Sequence, residues 1–427
     1  MLGRERGARR APAPTQRCGT LGTVEITDPG LRASHSRRHL LALGVAAALT
    51  SGCRALSRAR SGPLEPPPAP APAALAEPWP EPLLCAVLDT PDFAGVAPIG
   101  AVVGQRPYRR GRIRIEEELL DDRWLVHNYG HGGAGLSLCL GSAEQVRELF
   151  ATRLAPRARI AVLGAGVVGL TAALELARAG FRVEIHAEHF GAATTSAIAG
   201  GQWAPSLVAK GDDAPSRAQY ARVLRRSARR FEALVGAGAG VSRCVNYIER
   251  GRETGLLDVP ADVLPPAVAL ARLPFAGPPR PGFARSTYLI EPAPFMGYLH
   301  RALEGLGVAR VEGKFEREGD FIALDVDAFV NCLGVGAGVL FGDVALEPLR
   351  GQLLHYPPTG ARWLLSHDTG YLCARSDALV AGGSVERDRP GTDPDPTMSL
   401  RIRRSHIAFF NGLTGFRELK GGPSGSV

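Results

Sequence analysis

Short runs with strand character alternate with longer stretches of helical periodicity through the middle of the chain. Residues 124–128 and 159–163 are compact runs of this kind, and each is followed by a turn rich in glycine. The small and apolar residues of positions 136–150 and 170–179 then predict buried helices. A strand, a turn and a helix in succession are the unit from which a parallel sheet with covering helices is built. The pattern therefore predicts an α/β fold.

The first 96 residues do not follow this pattern. Arg37 and Arg38 precede an apolar run at residues 40–49, and Cys53 follows a serine and a glycine. This order is typical of a twin-arginine export signal with a lipoprotein cleavage site, so residues 1–53 are predicted to be a signal. The run is too short to cross a bilayer, which takes about 20 residues. A short buried helix or an arginine-rich tail is the alternative.

Proline and alanine dominate much of the next segment, residues 54–96, and leave few large apolar side chains to pack. Such a composition favours extended conformations, so the segment is predicted to be a semi-rigid linker and the folded body to begin near Ala97. Together with the signal, it predicts an exported protein, either periplasmic or tethered to the membrane through a lipidated Cys53. A cytoplasmic protein is the alternative.

Charge and cysteine content argue against two classes of function. Residues 1–60 account for the whole formal net charge of +8, since they hold eleven arginines and three acidic residues. The rest of the chain is neutral, which argues against a nucleic-acid partner. The seven cysteines are irregularly spaced, with no Cys-x-x-Cys pair and no histidine spacing suited to a metal. We predict mostly buried thiols and no metal site; one disulfide among the later cysteines stays open if the protein is exported.

The turn after residues 159–163 reads Gly164-Ala-Gly-Val-Val-Gly169, a dinucleotide-binding fingerprint in its required place between a strand and a helix. Its first glycine permits the tight turn, its second lets the backbone approach a pyrophosphate, and its third allows the helix to pack on the strand. Amides at the helix start then face the phosphate. Glu188 follows the next strand, residues 182–186, and is the candidate for the ribose hydroxyls. The predicted phosphate-binding residues are Gly164, Gly166, Val167, Val168 and Gly169.

Residues 194–205 form a polar stretch of sequence Thr-Thr-Ser-Ala-Ile-Ala-Gly-Gly-Gln-Trp-Ala-Pro. Its hydroxyls can donate to phosphate, and its paired glycines let the backbone approach a flat ring. A polar loop punctuated by glycine is the alternative, and the fingerprint alone does not decide between NAD and FAD. The candidate cofactor contacts here are Thr194, Thr195, Ser196, Gly200, Gly201 and Gln202, with Phe315 as a further one downstream.

A second glycine turn, His127-Asn-Tyr-Gly-His-Gly-Gly-Ala-Gly135, precedes the fingerprint. This turn, the polar stretch at residues 194–205 and the segment Gly104-Gln-Arg-Pro-Tyr-Arg109 resemble the D-amino-acid oxidase family of FAD-dependent oxidoreductases. In that family a turn of this form comes after the fingerprint, near the end of the chain. The resemblance therefore implies FAD as the cofactor and a circularly permuted chain. It places two helix starts far apart in the fold, one at each end of a single FAD.

The resemblance also implies an architecture: a Rossmann-like FAD-binding domain with an interleaved α+β substrate domain that carries a mixed or antiparallel sheet. Residues 330–338 and 350–352 resemble the second dinucleotide-domain strand of the family and its entry to the substrate domain. The predicted divisions are a flavin-binding segment (97–157), the FAD-binding domain (158–205 and 310–345), the substrate domain (206–309 and 346–412) and a tail (413–427).

By the same resemblance, the second turn would hold the pyrimidine end of the isoalloxazine ring. Reduction places negative charge there, and the helix dipole behind the turn favours it. Gly133 would also offer a backbone carbonyl to the amino group of the substrate. The residues implied as flavin contacts are Gly132, Gly133, Gly135, Leu136 and Ser137.

Arg106 is implied as the substrate anchor, because a planar guanidinium forms two parallel, charge-assisted bonds with a carboxylate. Tyr371, which stands eleven residues before Gly382, would share that carboxylate; a buried core tyrosine is the alternative. Arg417 lies in a partial repeat of the arginine segment and is a rival anchor. Arg109 and Arg110 are predicted to be solvated charges at a strand end. At the position of the second active-site tyrosine of mammalian members, this chain has His367.

The activity implied is oxidative deamination of a D-amino acid to a 2-oxo acid and ammonia, with dioxygen as electron acceptor and hydrogen peroxide as product. No catalytic acid or base is predicted, because alignment and electrostatic preorganisation can lower the barrier. The alternatives are a related glycine or amine oxidase, a dehydrogenase that passes electrons to a carrier, and an exported lipoprotein that binds flavin without turnover.

Overall fold

The computed structural model describes residues 78–82, 87–88, 91–252 and 254–411. The predicted signal with Cys53 and the predicted tail with its rival anchor Arg417 lie outside the described residues. In the described part, two β-sheets and seven α-helices make up the regular structure.

The strands in chain order are β1 (Gly100–Arg109), β2 (Arg114–Leu120), β3 (Arg123–Tyr129), β4 (Arg159–Leu163), β5 (Arg182–Ala187), β6 (Val241–Glu249), β7 (Val268–Leu270), β8 (Gly282–Ile290), β9 (Ala309–Glu312), β10 (Ala328–Asn331), β11 (Leu346–Tyr356), β12 (Trp363–His367), β13 (Gly370–Ala374) and β14 (Leu379–Gly382). The helices are α1 (Gly135–Ala151), α2 (Val167–Arg178), α3 (Ala214–Glu232), α4 (Pro292–Gly305), α5 (Glu318–Ile322), α6 (Gly336–Leu340) and α7 (Pro396–Asn411).

The six-stranded sheet has the order β2-β3-β10-β4-β5-β9. The last five strands of this order are parallel, and β2 adds an antiparallel edge. Its central strands are aliphatic and buried, as expected of a parallel sheet covered on both faces. The order and direction of these strands confirm the predicted α/β fold.

The eight-stranded sheet is mixed and has the order β1-β11-β14-β13-β12-β6-β8-β7. Only the pair β12–β6 is parallel among its neighbours. β1 forms one edge and pairs with β11 along its whole length, from Gly100 opposite His355 to Arg109 opposite Leu346. Residues upstream of the fingerprint therefore supply strands to both sheets, since β2 and β3 complete the other one.

The two glycine turns lie at the same edge of the six-stranded sheet. β3 ends at Tyr129 and β4 at Leu163, and the parallel strand β10 alone separates them. A Cβ atom at Gly135, where α1 begins, would lie 4.0 Å from Cγ1 of Val167, where α2 begins. The expectation that the two helix starts lie far apart is therefore wrong. They are neighbours, because β3 and β4 are parallel strands with only β10 between them, and parallel strands deliver their following helices to the same edge.

Packing extends upstream of the boundary predicted near Ala97. Phe93 is 2% exposed, and its ring stacks on Phe410 at the end of α7 with centroids 5.8 Å apart. Trp79 packs on a tyrosine of β8 with centroids 5.1 Å apart. Part of the predicted linker, residues 54–96, is thus held against the folded body by aromatic contacts. Its proline-rich composition does not predict these contacts.

The described cysteines are free and buried, namely Cys139, Cys244, Cys332 and Cys373. Burial raises the pKa of the thiols of Cys139, Cys244 and Cys373 to about 12, so they stay protonated at neutral pH. This confirms the prediction of buried thiols for these four; Cys18, Cys53 and Cys85 lie outside the described residues. None of the described helices combines the length and apolar character needed to cross a membrane.

Candidate active site

The fingerprint turn adopts the geometry that its three glycines predict. Gly164 has φ +108°, and a Cβ there would lie 2.4 Å from the carbonyl oxygen of Cys332. A Cβ at Gly169 would lie 1.9 Å from the carbonyl oxygen of Gly164, so any side chain would push the helix off the turn. α2 begins at Val167 with no side-chain cap and no acidic residue in its first turn. Apart from the N–H of Val167, which donates to Ser196, the amides of its first turn and the positive end of its dipole are available to an anion.

The polar stretch at residues 194–205 is anchored to that turn. The hydroxyl of Ser196 accepts a hydrogen bond from the backbone N–H of Val167 at 2.9 Å, which leaves its own hydrogen free to donate. The hydroxyl of Thr194 donates to the carbonyl of Gly191 at 2.8 Å. Thr194 and Thr195 line a cavity of about 300 Å³ that reaches the residues of β1. The structure thus brings the hydroxyl of Ser196 to the fingerprint turn, whereas Thr194 and Thr195 face β1.

Glu188 and Phe315 lie at the next strand of the same edge. Glu188 is exposed directly after β5 ends at Ala187. The ring of Phe315 lies 6.0 Å from that of His186 on β5, measured between centroids. The N–H of Gly164 donates to the carbonyl of His186 at 2.8 Å, which ties the fingerprint turn to the end of β5.

In the second glycine turn, Gly132 is tightly covered, whereas Gly133 is exposed. Gly132 has φ +54°, and a Cβ there would lie 1.9 Å from the carbonyl oxygen of Leu207. The N–H of Gly133 donates to that same oxygen at 3.1 Å. Leu207 itself has φ +50°, a left-handed conformation that is strained for a branched residue. His131, at 1% exposure, is held neutral because burial lowers its pKa to about 4.

The helix after this turn also has a free N-terminus, since α1 has no side-chain cap and no acidic residue in its first turn. Leu136 is buried against the core. The hydroxyl of Ser137 donates to the carbonyl of Ala204 and accepts from its N–H, both at 2.9 Å. Ser137 therefore fastens the polar stretch to α1, and its side chain is fully engaged in that contact.

Gly200, Gly201 and Gln202 cross from this edge to the eight-stranded sheet. Gly201 has φ +104° and accepts a hydrogen bond from the N–H of Ile290 at 2.7 Å, and Gln202 forms a bridge with Leu289 of β8. The crossing segment lies over Tyr371 of β13. A Cβ at Gly200 would lie 3.1 Å from Cε2 of that tyrosine.

Arg106 and Tyr371 meet over the face of the eight-stranded sheet, although two strands lie between β1 and β13. Two glycines leave space for these two side chains. A Cβ at Gly351 would lie 2.0 Å from Nη1 of Arg106, and a Cβ at Gly382 would lie 2.4 Å from Cζ of Tyr371. Gly133 adjoins the pair, since a Cβ there would lie 3.6 Å from Cδ of Arg106. The three residues predicted to bind substrate are therefore brought together.

The charge of Arg106 is not neutralised by an acidic side chain of the described residues. Its Nη1 donates to the carbonyl of Ser384 at 3.5 Å, a long hydrogen bond. Burial raises the pKa of the phenol of Tyr371, and the neighbouring guanidinium of Arg106 opposes that rise. Tyr371 thus keeps its proton through the neutral range and stands as a donor beside an unpaired cation.

Arg109, at the end of β1, and Arg110, directly after it, have different surroundings. Nε of Arg109 donates to the carboxylate of Asp343 at 2.8 Å, and the arginine side chain is only 16% exposed. The prediction that Arg109 is solvated is therefore wrong, because Asp343 and the hydroxyl of Tyr129 form a buried network with it. Arg110 is 58% exposed and pairs with Glu347 at the surface.

His367 does not occupy the site. Nε2 of His367 lies 2.8 Å from Nδ1 of His406, and both rings are buried behind β13, under α7. Burial lowers the pKa of both imidazoles, that of His406 to about 3, so the pair is neutral. The side chain of His367, at the position of the second family tyrosine, thus points into the core behind the sheet, away from Arg106.

Several residues that shape the site are not evident from the sequence. The glycines at 351 and 382 are recognisable only once their strands are paired, and the strap of Ser206 and Leu207 over the second turn carries no motif. A hint was present for Gly351, which stands in the segment of residues 350–352. No group of three or more His, Cys, Asp and Glu side chains in the described ranges is placed to hold a metal ion.

Fold and site together define a dinucleotide-binding α/β protein with an arginine that no acidic side chain of the described residues neutralises, beside its nucleotide edge. A family model described as "DAO: FAD dependent oxidoreductase" matches residues 159–425. The D-amino-acid oxidase of Streptomyces coelicolor is 32% identical over 271 residues, which cover 61% of this chain and 80% of that protein. The D-amino-acid oxidase of Rubrobacter xylanophilus is 30% identical over 286 residues, covering 62% and 80% respectively. A D-amino-acid oxidase of Fusarium vanettenii shares 52% identity over 56 residues, or 13% of this chain and 16% of that protein.

The chain therefore belongs to the D-amino-acid oxidase family of FAD-dependent oxidoreductases. It is an enzyme of that kind, and FAD is its cofactor. The site fits the cofactor: a fingerprint turn whose first and third glycines leave no room for a Cβ, and two neighbouring helix starts without acidic residues in their first turns, are suited to a long molecule with a pyrophosphate and a reducible ring.

Proposed function

We propose that this enzyme oxidises a D-amino acid, with its carboxylate on Arg106 and Tyr371 and its amino group toward the carbonyl of Gly133. FAD supplies the two-electron acceptor for the α-hydrogen, the imino acid hydrolyses to a 2-oxo acid and ammonia, and dioxygen takes the electrons to give hydrogen peroxide. The observation that carries the proposal is the guanidinium of Arg106, which has no acidic partner in the described residues, beside the protonated phenol of Tyr371. That pair is complementary to a carboxylate.

The protein residues bind and orient in this scheme, and none moves a proton. Arg106 supplies two parallel donors to the carboxylate and Tyr371 a third, so three bonds fix one end of the substrate. The strap of Ser206 and Leu207 covers Gly132 of the second glycine turn and leaves Gly133 exposed. Fixing the carboxylate and the amine defines which face of the α-carbon is presented to the flavin, and such alignment alone lowers the barrier by several kcal/mol.

The cofactor roles proposed here follow the edge of the six-stranded sheet. The fingerprint turn with its valines, Val167 and Val168, and the hydroxyls of Thr195 and Ser196 would hold the pyrophosphate; the hydroxyl of Thr194 would join them only after leaving the carbonyl of Gly191. Glu188 would accept from the ribose hydroxyls, with Phe315 beside it. The flavin ring would lie between residues 200–202 and the second turn, residues 132–137, where the start of α1 faces its pyrimidine end.

We also propose that the chain is a circular permutation of the family fold, with residues 97–157 displaced from the end to the front. The family model begins at residue 159, yet β1 and β3 upstream of it complete the two sheets. The stacking of Phe93 on Phe410 supports this reading, because it holds the entry to β1 beside the exit of α7. Permutation is tolerated where such ends lie close together. The domain divisions given from the sequence remain part of this proposal.

The proposed activity is tested with the purified protein reconstituted with FAD. Oxygen consumption and peroxide formation are measured with D- and L-amino acids, glycine and secondary amines. Peroxide with a D-amino acid supports the proposal. Turnover of glycine or secondary amines alone would indicate the related amine oxidases, and flavin bleaching without peroxide a dehydrogenase. A holoprotein that none of these compounds bleaches would indicate flavin binding without turnover.

Export by the twin-arginine route is proposed from the order of Arg37, Arg38, the apolar run and Cys53. That route carries folded proteins, so FAD would be inserted before export. Mass spectrometry of the mature N-terminus tests it. A lipid-modified Cys53 supports a membrane tether, cleavage without lipid supports a periplasmic enzyme, and an uncleaved first residue contradicts both.

A further inference from the structure

The side chain of Asn128 presents an unmatched amide in the interior. Asn128 lies near the end of β3 and is fully buried, yet neither Nδ2 nor Oδ1 has a nitrogen or oxygen partner among the residues that the structure describes. Its recorded neighbour is the thiol of Cys332, a weak hydrogen-bonding group. A buried amide left in this state carries its full desolvation penalty, and buried polar groups are normally matched by a ligand or an ordered water.

Asn128 lies at the same level along the strands as Gly164, the first residue of the fingerprint turn. The residues just before this level are paired across the sheet, since Asn331 of β10 lies opposite His127 of β3 and Leu163 of β4. One step further along the strands come Asn128, Cys332 and Gly164. These three residues therefore form a row that runs along the carboxyl edge of the sheet and ends at the fingerprint.

Cys332 links the amide to both ends of the fingerprint. Its carbonyl oxygen would lie 2.4 Å from a Cβ at Gly164, and its Cβ would lie 3.3 Å from one at Gly169. Its N–H donates to the carbonyl of Leu163 at 2.8 Å. The side chain of Cys332 thus faces α2, and Asn128, which touches that thiol, lies on the same side of the sheet.

We propose that Asn128 is a positioning residue for the pyrophosphate of FAD, acting on a phosphate oxygen directly or through one ordered water. Nδ2 donates toward the phosphate, and Oδ1 accepts from the water or from an amide of the turn. A neutral amide suits this place, because it adds a donor without a second charge, whereas a carboxylate would repel the phosphate. The inference rests on the use of FAD, which family membership establishes, and is independent of the substrate.

The test compares Asn128→Leu, Asn128→Asp and a control, Asn246→Leu. Asn246 is another fully buried asparagine, on β6 of the other sheet, whose Oδ1 has no partner among the described residues. Three quantities are measured: the Tm of the apoprotein, the Kd for FAD by flavin-fluorescence titration, and the phosphorus NMR shifts of bound FAD.

For Asn128→Leu we expect an apoprotein Tm equal to or above that of the wild type, a Kd for FAD raised about tenfold, and moved phosphorus resonances. Asn128→Asp should raise the Kd further. Asn246→Leu should leave the Kd and the resonances unchanged. Wild-type affinity and unmoved resonances in Asn128→Leu would overturn the proposal. If that variant does not fold, wild-type affinity in a folded Asn128→Asp would overturn it equally.

Discussion

At the residue scale, the site depends on which groups are left unmatched and which are fully paired. Arg106 and Arg109 stand three positions apart on β1, yet Asp343 neutralises only Arg109. The sequence indicated Arg106 as the anchor through its resemblance to a family motif. It could not show that Arg109 is buried, because Asp343 is more than 200 positions away and reaches it only when β1 pairs with β11. The sequence also could not show on which face of the sheet the side chain of His367 lies, because strand pairing determines that face.

Removing the hydroxyl of Tyr371 should weaken substrate binding and leave the chemistry nearly intact. In Tyr371→Phe the carboxylate loses one donor of the three, and a hydrogen bond to a charged group of this kind corresponds to roughly a tenfold to hundredfold rise in KM. kcat should change little, since the hydroxyl does not touch the α-carbon. Steady-state kinetics on the FAD-loaded variant check this. An unchanged KM would show that Tyr371 is a core tyrosine.

The buried histidines should make the fold sensitive to acid. His406 has a folded-state pKa of about 3, below its ordinary value near 6.5, so the unfolded chain binds a proton that the folded chain does not. The stability due to this difference is present above pH 6.5 and is lost as the pH falls toward the folded-state pKa.

Between pH 7 and pH 5, His406 alone should remove about 2 kcal/mol from the free energy of unfolding. Urea unfolding of the wild type and of His406→Gln, which does not titrate there, measures the effect. The variant is expected to lose about 2 kcal/mol less over that interval. Equal losses in the two proteins would contradict the assignment of a neutral, buried imidazole.

At the element scale, the strands and helices around the glycine turns were readable from the chain. β4 was predicted at its observed ends, residues 159–163, and α1 and β3 each came within one residue at either end. α2 begins three residues before its predicted start, because its first turn is part of the fingerprint itself. Strand order was not readable: pairing of β1 with β11 depends on contacts about 250 positions apart, which no local pattern encodes.

Gly351 on β11 affects substrate binding through strand geometry, because its lack of a side chain leaves space for Arg106. In Gly351→Ala the new methyl group would lie 2.0 Å from the guanidinium of Arg106, and a flexible arginine side chain can move away. The fold should survive, while kcat/KM falls by roughly a hundredfold because the anchor is displaced by about an ångström. Gly100→Ala on β1 is the matched control, since a Cβ there meets nothing within 4 Å. Similar losses in both variants would contradict this role.

At the scale of the whole molecule, the turn at residues 127–135 precedes the fingerprint along the chain, and the circular permutation proposed from this order stays a prediction. Residues 100–151 supply strands to both sheets and the helix that lies beside α2. The order of the two glycine turns can be read directly from the sequence. The prediction from the sequence placed the two helix starts too far apart, because the single intervening strand β10 comes from a segment nearly 200 residues downstream.

A rearranged chain tests the permutation. It would begin at residue 158 and carry residues 91–157 after residue 411, joined by a short flexible linker, so that Phe93 is kept. Because Phe93 and Phe410 are in contact, we expect this chain to fold and to bind FAD with a Kd within about threefold of the wild type. A matched chain lacking residues 91–157 should not retain FAD. Failure of the rearranged chain to bind FAD would count against the permuted reading.

The central claim is that one FAD and an arginine-held carboxylate present the substrate for oxidation, and anaerobic reduction of the bound flavin tests it most directly. Visible absorbance is followed with a D-amino acid, its L enantiomer and the corresponding amine without a carboxylate, in the wild type, Arg106→Ala and the surface control Arg110→Ala. We predict reduction by the D-amino acid alone, with half-saturation raised roughly a hundredfold in Arg106→Ala and unchanged in Arg110→Ala. Equal reduction by the carboxylate-free amine, or wild-type saturation in Arg106→Ala, would contradict the account.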